Sequence, residues 1–213
     1  MVDLTLPRCP WCGTDELYVR YHDEEWGNPV FEDGKLFEFL ILEGAQAGLS
    51  WATILKRREN YRMAFAGFDA ETVARFGDED IARLMGDAGI IRNKAKINGA
   101  VKNARAFLAV AEAFGSFSKY IWAYVDGKPI INHPNDLSQV PATFPLAEKI
   151  SRDMKKRGFT FFGPTICYAH MQATGMVNDH LTSCFRHPDY AKAGPPSARR
   201  RLFRPLPSPP RTL

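Results

Sequence analysis

The sequence predicts an all-α protein, because apolar residues recur at helical spacing and strand signals are scarce. Ile97, Val101 and Ala104 fall on one face of a helix predicted over residues 92–113. Strand-like runs, such as residues 128–131, are short and isolated from one another. We therefore expect helices joined by turns to form nearly all of the architecture.

Each predicted helix has its own sequence signal. Residues 34–47 and 49–65 are rich in good helix formers and poor in β-branched side chains. Ile81, Leu84 and Met85 repeat at i, i+3 and i+4. Further helices are expected over residues 118–125, 145–157 and 165–184, the last with a potential break near Gly175. Turn signals separate these segments at Asn28-Pro29, Phe114-Gly115, Asp126-Gly127, Asn132–Asn135 and Gly163-Pro164.

Length and composition indicate one sizeable globular domain, or one domain with a small annex. The 213 residues are 45% hydrophobic and 24% charged, which is ordinary for a globular protein. No apolar stretch reaches the ~18 residues of a membrane-spanning helix, so no membrane partner is expected. The N-terminal segment lacks a basic region followed by an apolar stretch. No secretory signal is therefore predicted, and a cytoplasmic location is expected.

Positive charge is concentrated at the C-terminal end of the chain. The formal net charge is +4, but residues 191–213 contain six Lys or Arg residues and no acid. Residues 1–190 therefore hold 22 basic and 24 acidic residues, a net charge of −2. We predict that residues 1–190 form the folded domain and that the Pro-rich tail, residues 191–213, is disordered. The tail either binds nucleic acid through phosphates or serves as a solubilising appendage.

The segment FLILEGAQAGLSW, residues 39–51, places a carboxylate where a buried helix rarely has one. An unpaired buried charge such as Glu43 costs several kcal/mol or shifts its pKa. The N-terminal third is also rich in large aromatic residues: Trp11, Tyr18, Tyr21, Trp26 and Trp51. These aromatics either pack in a core, with their polar groups satisfied, or form a stacking pocket for a flat ligand such as a nucleobase. In the second reading Glu43 accepts hydrogen bonds from that ligand.

Cysteine and histidine residues near the two ends of the chain predict a metal site. His180 and Cys184 are four positions apart and fall on one face of the predicted last helix. Together with His22 and either Cys9 or Cys12, they supply the two sulfur and two nitrogen ligands of a tetrahedral zinc site. Spacing alone does not choose between the two N-terminal cysteines.

The segment LMGDAGIIRNKAKI, residues 84–97, predicts two helices joined by a tight turn. The first helix is expected to end near Asp87 and the second to begin at Arg92. A turn of this kind presents unpaired backbone N–H groups at the N-terminus of the second helix, which suit a phosphate group. Nearby basic side chains add to the attraction: Arg92, Lys94 and Lys96. Taken alone, the pattern is also that of an ordinary connection between helices.

Several stretches together resemble one protein family. They are YHDEEWG (21–27), LEGAQAGLSW (42–51), KRRENY (56–61), DAGIIR (87–92), KRGF (156–159) and VNDH (177–180). From about residue 8 to residue 187, the chain is similar to DNA-3-methyladenine glycosylase I, a bacterial alkylation-repair family. These segments are ordered along the chain and unusual in composition, which argues against chance similarity.

The resemblance implies a fold and a cofactor. It implies a helix-hairpin-helix fold, with the hairpin at about residues 80–105. DNA phosphates would be gripped there by Gly89, Ile90, Ile91 and Arg92. It also implies one structural zinc ion per chain, bound by segments 9–22 and 180–184. The implied ligands are Cys9, His22, His180 and Cys184, and Cys12 is then an extra thiol.

The resemblance also implies an activity. It implies a monomeric enzyme that hydrolyses the N-glycosidic bond of 3-methyladenine in double-stranded DNA and leaves an abasic site, without lyase activity. Glu43 is the implied catalytic residue, the carboxylate that reads the base, and Gly44 and Ala45 are expected to leave room beside it. Leu49 would fill the gap left by the extruded base. The implied base-binding aromatics are Trp11, Tyr18, Tyr21 and Trp51.

Two other functions compete with this one. A non-catalytic, zinc-stabilised helix-hairpin-helix protein would bind DNA with the same hairpin, but would not need Glu43 among aromatic side chains. A zinc hydrolase would need an open position on the metal, and four protein ligands leave none. An assay of base release from methylated DNA, with and without prior metal removal, separates the three.

Overall fold

The computed structural model describes residues 5–193, which are mainly helical. The helices are α1 (Glu16–Glu24), α2 (Asp33–Gln46), α3 (Trp51–Leu55), α4 (Arg58–Ala64), α5 (Ala70–Ala74), α6 (Asp78–Gly86), α7 (Lys94–Phe114), α8 (Phe117–Trp122), α9 (Pro145–Lys156), α10 (Pro164–Ala173) and α11 (Pro188–Ala193). Two short strands, β1 (Ile130–Ile131) and β2 (Val177–Asn178), form a parallel pair. Short 3₁₀ turns cover Pro10–Cys12, Ala66–Phe68, Ala123–Val125 and Leu137–Gln139. The prediction of a mainly helical fold is confirmed.

Local sequence signals explain where most helices begin. Side chains that accept a hydrogen bond from a backbone N–H of the first turn are Asp15 before α1, Glu32 before α2, Ser50 before α3, Asp69 before α5, Asn93 before α7 and Ser116 before α8. Proline occupies the first position of α9 and of α10, where its missing N–H costs nothing. The long helix α7 ends at Gly115, which has a left-handed backbone that favours glycine.

The core forms where α2 crosses α7. Helix α2 is buried at ten consecutive positions, from Leu36 to Ala45, because neighbouring helices cover it on several sides. The ring centroids of Phe37 and Phe107 are 5.0 Å apart, and those of Phe107 and Phe117 are 4.4 Å apart. Helix α2 is thus the central helix, and a polar side chain between Leu36 and Ala45 faces a packed interior or a pocket.

The connection between α6 and α7 is a tight, internally braced turn. The Gly89 N–H donates to Asp87 Oδ1 (2.7 Å), and the Ile91 N–H donates to the Tyr61 hydroxyl (3.1 Å). Helix α7 begins at Lys94, two residues later than predicted, because the Asn93 side chain caps it. The paired-helix prediction is confirmed, but two amides of the turn already have partners within the protein.

The predicted helix over residues 165–184 breaks close to Gly175, as its sequence allowed, but the prediction that a helix continues to residue 184 is wrong. Helix α10 ends at Ala173, and Gly175 has a φ of +68°, in the region that favours glycine. A Cβ at Gly175 would lie 2.2 Å from the carbonyl carbon of Asn28, so the chain turns where only glycine fits. Strand β2 follows, and His180 and Cys184 lie in a loop rather than on one helix face.

The described residues end inside the predicted tail. Helix α11 runs from Pro188 to Ala193 and so crosses the predicted boundary between residues 190 and 191. The rest of the predicted tail, residues 194–213, lies outside the described residues. Within residues 5–193, no helix is long and apolar enough to cross a membrane.

Candidate functional site

An open pocket of about 270 Å³ lies beside the central helix, and five of the residues that line it are aromatic. Its lining residues are Trp11, Tyr18, Tyr21, Trp26, Glu43, Gln46, Trp51, Leu137, Val140, Ala169, Gln172 and Asp179. The structure therefore brings together Glu43 and all four aromatic residues predicted to bind a base. Of the two arrangements predicted for these aromatic residues, the geometry supports a pocket and not a closed core.

Glu43 is a buried carboxyl group without a cationic partner. Its side chain is almost fully buried, and it forms no hydrogen bond or ion pair with any residue in the described part of the chain. Burial raises the pKa of Glu43 to about 8, so the carboxyl group is mainly protonated in the empty pocket at neutral pH.

A second buried glutamate in the same helix shows what a structural carboxylate looks like. Glu38 is as buried as Glu43, with 3% of each residue exposed. Its carboxylate is 2.6 Å from Arg58 Nε, 3.0 Å from Arg62 Nη2 and 3.1 Å from Lys35 Nζ. Glu38 is thus paired from three sides, whereas Glu43 opens into the pocket. The contrast shows that Glu43 lacks the ion pairs that hold Glu38 in the fold.

The aromatic rings contact one another in the empty pocket. The centroids of Tyr21 and Trp51 are 5.3 Å apart with the planes inclined at 45°. A flat base sandwiched between two parallel rings needs a separation of about 7 Å, twice the usual contact distance. Burial also raises the pKa of the Tyr21 hydroxyl well above its usual range, so it remains protonated. A base could stack on either ring, but the rings are too close together to hold a base between them.

The small residues next to Glu43 lie on another side of the helix. A Cβ added to Gly44 would contact Phe161, at 3.8 Å, and Gly44 and Ala45 line a separate cleft that includes Lys96. The expectation that these residues make room for the base is wrong, because successive helical residues are rotated by about 100°. Gln46, one turn after Glu43, shares its side of the helix and lines the pocket.

One wall of the pocket comes from the far end of the chain and was not predicted. Asp179 is buried and accepts hydrogen bonds from Asn132 Nδ2 (2.7 Å), Gln172 Nε2 (2.7 Å) and the Tyr168 hydroxyl. An acceptor-only carboxylate fixes the orientation of the Gln172 amide. The only sequence signal for this wall was the VNDH segment, which contains Asp179.

The predicted metal ligands meet in one buried cluster. Ligand atoms of Cys9, His22, His180 and Cys184 all lie within 4.8 Å of one another. Cys184 Sγ is 3.4 Å from His22 Nε2 and 3.5 Å from His180 Nδ1, and Cys9 Sγ is 3.6 Å from His180 Nδ1. A hydrogen bond between the two thiols lowers the pKa of Cys184 and raises that of Cys9. These four side chains could hold a metal ion.

Further hydrogen bonds orient the cluster. Backbone N–H groups of Leu181 and Arg186 donate to the sulfur atoms of Cys9 and Cys184, each at 3.4 Å. The other ring nitrogen of His22, Nδ1, lies 2.8 Å from Asp23 Oδ1. Partners of this kind, behind the ligand atoms, are typical of metal-binding cysteines and histidines.

The structure separates the two N-terminal cysteines. Cys12 lies outside the group of ligand atoms, and its Sγ donates to the carbonyl oxygen of Cys9 over 3.2 Å. Cys12 is therefore a buried thiol next to the cluster, as the family resemblance implied. His180 and Cys184 lie in a loop and not in the predicted helix, but the loop still brings their ligand atoms into the cluster.

The predicted DNA contacts differ in their exposure. Leu49 is 38% exposed in the turn between α2 and α3, and Arg92 is exposed. Ile90 is 3% exposed and packs in the core, so its side chain is not available to DNA. The Gly89 backbone is not left-handed. Glycine is needed there because a Cβ would come within 2.9 Å of the Asn60 side chain.

Known proteins are similar to this chain in both sequence and fold. A sequence model of the methyladenine glycosylase family matches residues 11–187. The DNA-3-methyladenine glycosylase of Haemophilus influenzae is 49% identical over 177 residues, which are 83% of this chain and 96% of that protein. A crystal structure of 3-methyladenine DNA glycosylase I is 49% identical, with a TM-score of 0.84, and the match covers 85% of this chain and all of that one.

A further solved structure contains the methylated base. It is a 3-methyladenine DNA glycosylase I variant in complex with 3-methyladenine, 38% identical, with a TM-score of 0.83 over 85% of this chain and 97% of that one. The helical fold and the aromatic pocket thus place the chain among the DNA repair glycosylases. In particular, it belongs to the methyladenine glycosylase family.

Proposed function

We propose that this protein excises 3-methyladenine from double-stranded DNA by hydrolysis and leaves an abasic site. The observation that carries the proposal is the unpaired Glu43 carboxyl group, buried in a pocket with aromatic walls. The side chains that form this pocket come from a single chain, and we propose that the protein acts as a monomer.

Charge provides the basis of recognition. Methylation at N3 gives adenine a positive charge within DNA, and this weakens the glycosidic bond. Entry of a cation beside Glu43 favours the ionised carboxylate and returns its pKa toward the ordinary range. The resulting charge-assisted hydrogen bond and a cation–π contact of ~1–2 kcal/mol hold the base. Unmodified adenine carries no such charge and stays paired in the duplex, so selectivity arises partly from the substrate.

Stacking requires a small rearrangement of Trp51. Its ring is tilted against Tyr21, and its Nε1–H is buried without an acceptor among the described residues. A buried donor without a partner is uncommon in folded proteins. We infer that Trp51 turns when the base enters, so that the base stacks on Tyr21 and Trp51, with Trp11 and Tyr18 completing the wall.

The Cys/His cluster fits a structural zinc ion. Tetrahedral zinc with ordinary bond lengths to sulfur and nitrogen places these ligand atoms about 3.6 Å apart. The measured sulfur–nitrogen distances are 3.4–3.6 Å. We propose Cys9, His22, His180 and Cys184 as the ligands. When bound, zinc would supply a cross-link between the N-terminal segment and the loop after β2.

The turn between α6 and α7 is proposed as the hairpin that binds the DNA backbone. In the described structure the backbone N–H groups of Arg92, Lys94 and Ala95 have no acceptor and lie at the N-terminus of α7. Two phosphate oxygens could bind there without disturbing the braced amides of Gly89 and Ile91. Leu49, exposed in its turn, is proposed to fill the space left by the extruded base.

A hydrolase without lyase activity is expected from the same region. The position that would carry a nucleophilic lysine, by the count from Gly89, is occupied by Asn93. Its Oδ1 accepts the Lys96 N–H at 3.1 Å and caps α7. Asn93 thus has a structural role, and no amine is available there to form a covalent intermediate with the sugar.

Base release is the experiment that tests this function. Duplex DNA methylated at N3 of adenine is incubated with the wild type, with Glu43→Gln and with Glu112→Gln, a matched change at an exposed position of α7. We expect free 3-methyladenine from the wild type and from Glu112→Gln, and a rate reduced at least tenfold for Glu43→Gln. DNA binding without base release by the wild type would instead identify a non-catalytic DNA-binding protein. Zinc removal that stops release while the protein stays folded and still binds free 3-methyladenine would favour the zinc hydrolase.

A further inference from the structure

Lys96 joins two parts of the molecule that are proposed to act on DNA. It lies in the first turn of α7, directly after the hairpin. Its Nζ donates to the carbonyl oxygen of Ala45 (2.8 Å) and to that of Ala47 (2.6 Å). Both carbonyls belong to the C-terminal end of α2, the helix that carries Glu43. A lysine of the hairpin helix therefore caps the base-reading helix.

The end of α2 needs such a partner. The last carbonyl groups of an α-helix have no intrahelical donor and carry partial negative charge. Ala47, with φ −44° and ψ 115°, already leaves the helical conformation. A cation reaching across from α7 satisfies these carbonyls, and the half-buried position of Lys96 strengthens the contact.

The same contact fixes the turn that presents Leu49. This turn runs from Gln46 to Leu49. It is closed by the Leu49 N–H, which donates to Gln46 O (2.6 Å), and by Gln46 Nε2, which donates to Leu49 O (2.9 Å). Through Ala47, Lys96 therefore holds a compact, hydrogen-bonded turn that exposes the Leu49 side chain. The carbonyls that Lys96 caps belong to residues two and four positions after Glu43.

We propose that Lys96 is a positioning residue for base excision, which sets the Leu49 turn and the Glu43 helix in register with the hairpin. This proposal rests on the proposed glycosylase function. DNA held at the N-terminus of α7 is then presented to Leu49 and to the pocket at a fixed distance. Misplacement of reacting groups by about 1 Å can lower a rate about a hundredfold, so the loss of one cap has a large effect.

Two simpler roles of Lys96 predict different experimental results. If Lys96 bound a phosphate directly, its loss would weaken all DNA binding and reduce the salt dependence of log K by about 0.9. If Lys96 only stabilised the fold, its loss would lower the melting temperature and leave the rate of the folded fraction unchanged. A positioning role lowers the excision rate at saturating DNA and leaves the salt slope unchanged.

Lys96→Met tests the proposal because it keeps the length of the side chain and removes its three donors. Lys102→Met, an exposed lysine two turns further along α7, controls for the loss of one charge. The measurements are the single-turnover excision rate at saturating methylated duplex, the affinity for undamaged duplex at several salt concentrations, the affinity for free 3-methyladenine and the melting temperature.

We expect Lys96→Met to lower the saturated excision rate 10- to 100-fold, with affinity for free 3-methyladenine within twofold of the wild type and an unchanged salt slope. Lys96→Arg, which keeps two or more donors, should recover most of the rate, and Lys102→Met should behave as the wild type. A reduced salt slope or an unchanged saturated rate in Lys96→Met would overturn the proposal. So would a folded Lys96→Arg protein that does not recover the excision rate. A wild type that releases no 3-methyladenine would instead refute the glycosylase function itself.

Discussion

His180 Nε2 lies 3.0 Å from the carbonyl oxygen of Trp26, so the Cys/His cluster and the aromatic pocket share a wall. The Trp26 ring also stands edge-on to His180, with the centroids 4.6 Å apart. With His180 Nδ1 turned toward the sulfur atoms, its Nε2–H is the donor to Trp26. Loss of a bound metal would release His180 and, with it, one side of the pocket.

Cys184→Ser is therefore expected to lower zinc content, stability and base affinity together. A serine oxygen is a weaker zinc ligand than a thiolate, and the remaining three ligands leave the cluster incomplete. Zinc content by elemental analysis, melting temperature and free-base titration should fall in the same variant. Cys12→Ser is the matched control, because Cys12 is equally buried but lies outside the cluster. Full zinc content in Cys184→Ser, or loss of zinc in Cys12→Ser, would contradict this ligand assignment.

The Cys/His cluster shows how a group of candidate metal ligands can be predicted when the local structure is not. The residue types and the resemblance to a family named the four side chains, since only Cys and His provide such ligands. Spacing at i and i+4 suggested a helix for His180 and Cys184, but residues 179–187 form a loop. The deciding contact, Gly175 against the backbone of Asn28, joins segments almost 150 residues apart and leaves no periodic signal.

Gly89→Val is expected to weaken binding to all duplexes about equally. The new side chain would collide with Asn60, whose Nδ2 donates to the Gly89 carbonyl (3.3 Å), and would displace the turn that is proposed to bind phosphates. Gly86→Val is the control, because a Cβ there meets nothing within 4 Å. Affinity for damaged and undamaged duplexes of one sequence, measured at one salt concentration, checks the prediction. A loss confined to damaged DNA would place Gly89 in base recognition.

Deletion of residues 194–213 is expected to leave catalysis intact. The cut is made after Ala193 because α11 continues to that residue. The deleted segment contains five arginines and no acid, so its loss should reduce duplex affinity modestly and only at low salt. Single-turnover excision at saturating DNA and a salt titration of binding measure the two effects. A truncated protein that fails to fold would show that the tail packs on the domain.

Prediction of the pocket from sequence was limited by chain distance. The aromatic residues and Glu43 are clustered in the first quarter of the sequence, so composition alone drew attention to them. Gln172, Asp179 and Leu137 reach the same pocket from the far side through tertiary packing. The orientation of Gly44 was also mispredicted, since the composition of a helix does not tell which of its sides meets a pocket.

Glu43→Gln is expected to separate base recognition from stability. The amide keeps the volume of the side chain but cannot become an anion, so the charge-assisted hydrogen bond is lost. We expect free 3-methyladenine to bind about ten- to a hundredfold more weakly, equivalent to ~1.5–3 kcal/mol. Titration of the base, followed by tryptophan fluorescence, measures the change in a pocket that contains Trp11, Trp26 and Trp51. Equal affinities would mean that Glu43 does not contact the base.

The same variant should gain stability relative to the wild type as the pH rises. Burial raises the pKa of Glu43 from its ordinary 4.5 to about 8 in the folded protein. Between these two values the unfolded chain has lost the proton that the folded chain retains, so this group lowers the free energy of unfolding as pH increases. In Glu43→Gln this group no longer lowers the free energy of unfolding as the pH rises. The melting temperature of the variant should therefore exceed that of the wild type by an amount that grows from pH 5 to pH 8.

Glu38→Gln is the matched control in the same helix. It removes a buried carboxylate that pairs with Arg58 at 2.6 Å and with Arg62 at 3.0 Å, so it should destabilise the protein at neutral pH. Opposite signs for two glutamate-to-glutamine changes at equally buried positions would arise only if one carboxylate faces cations and the other faces an empty pocket. Thermal unfolding of the three proteins at pH 5, 6, 7 and 8 measures both effects. A Glu43→Gln protein less stable than the wild type at every pH would show that Glu43 supports the fold after all.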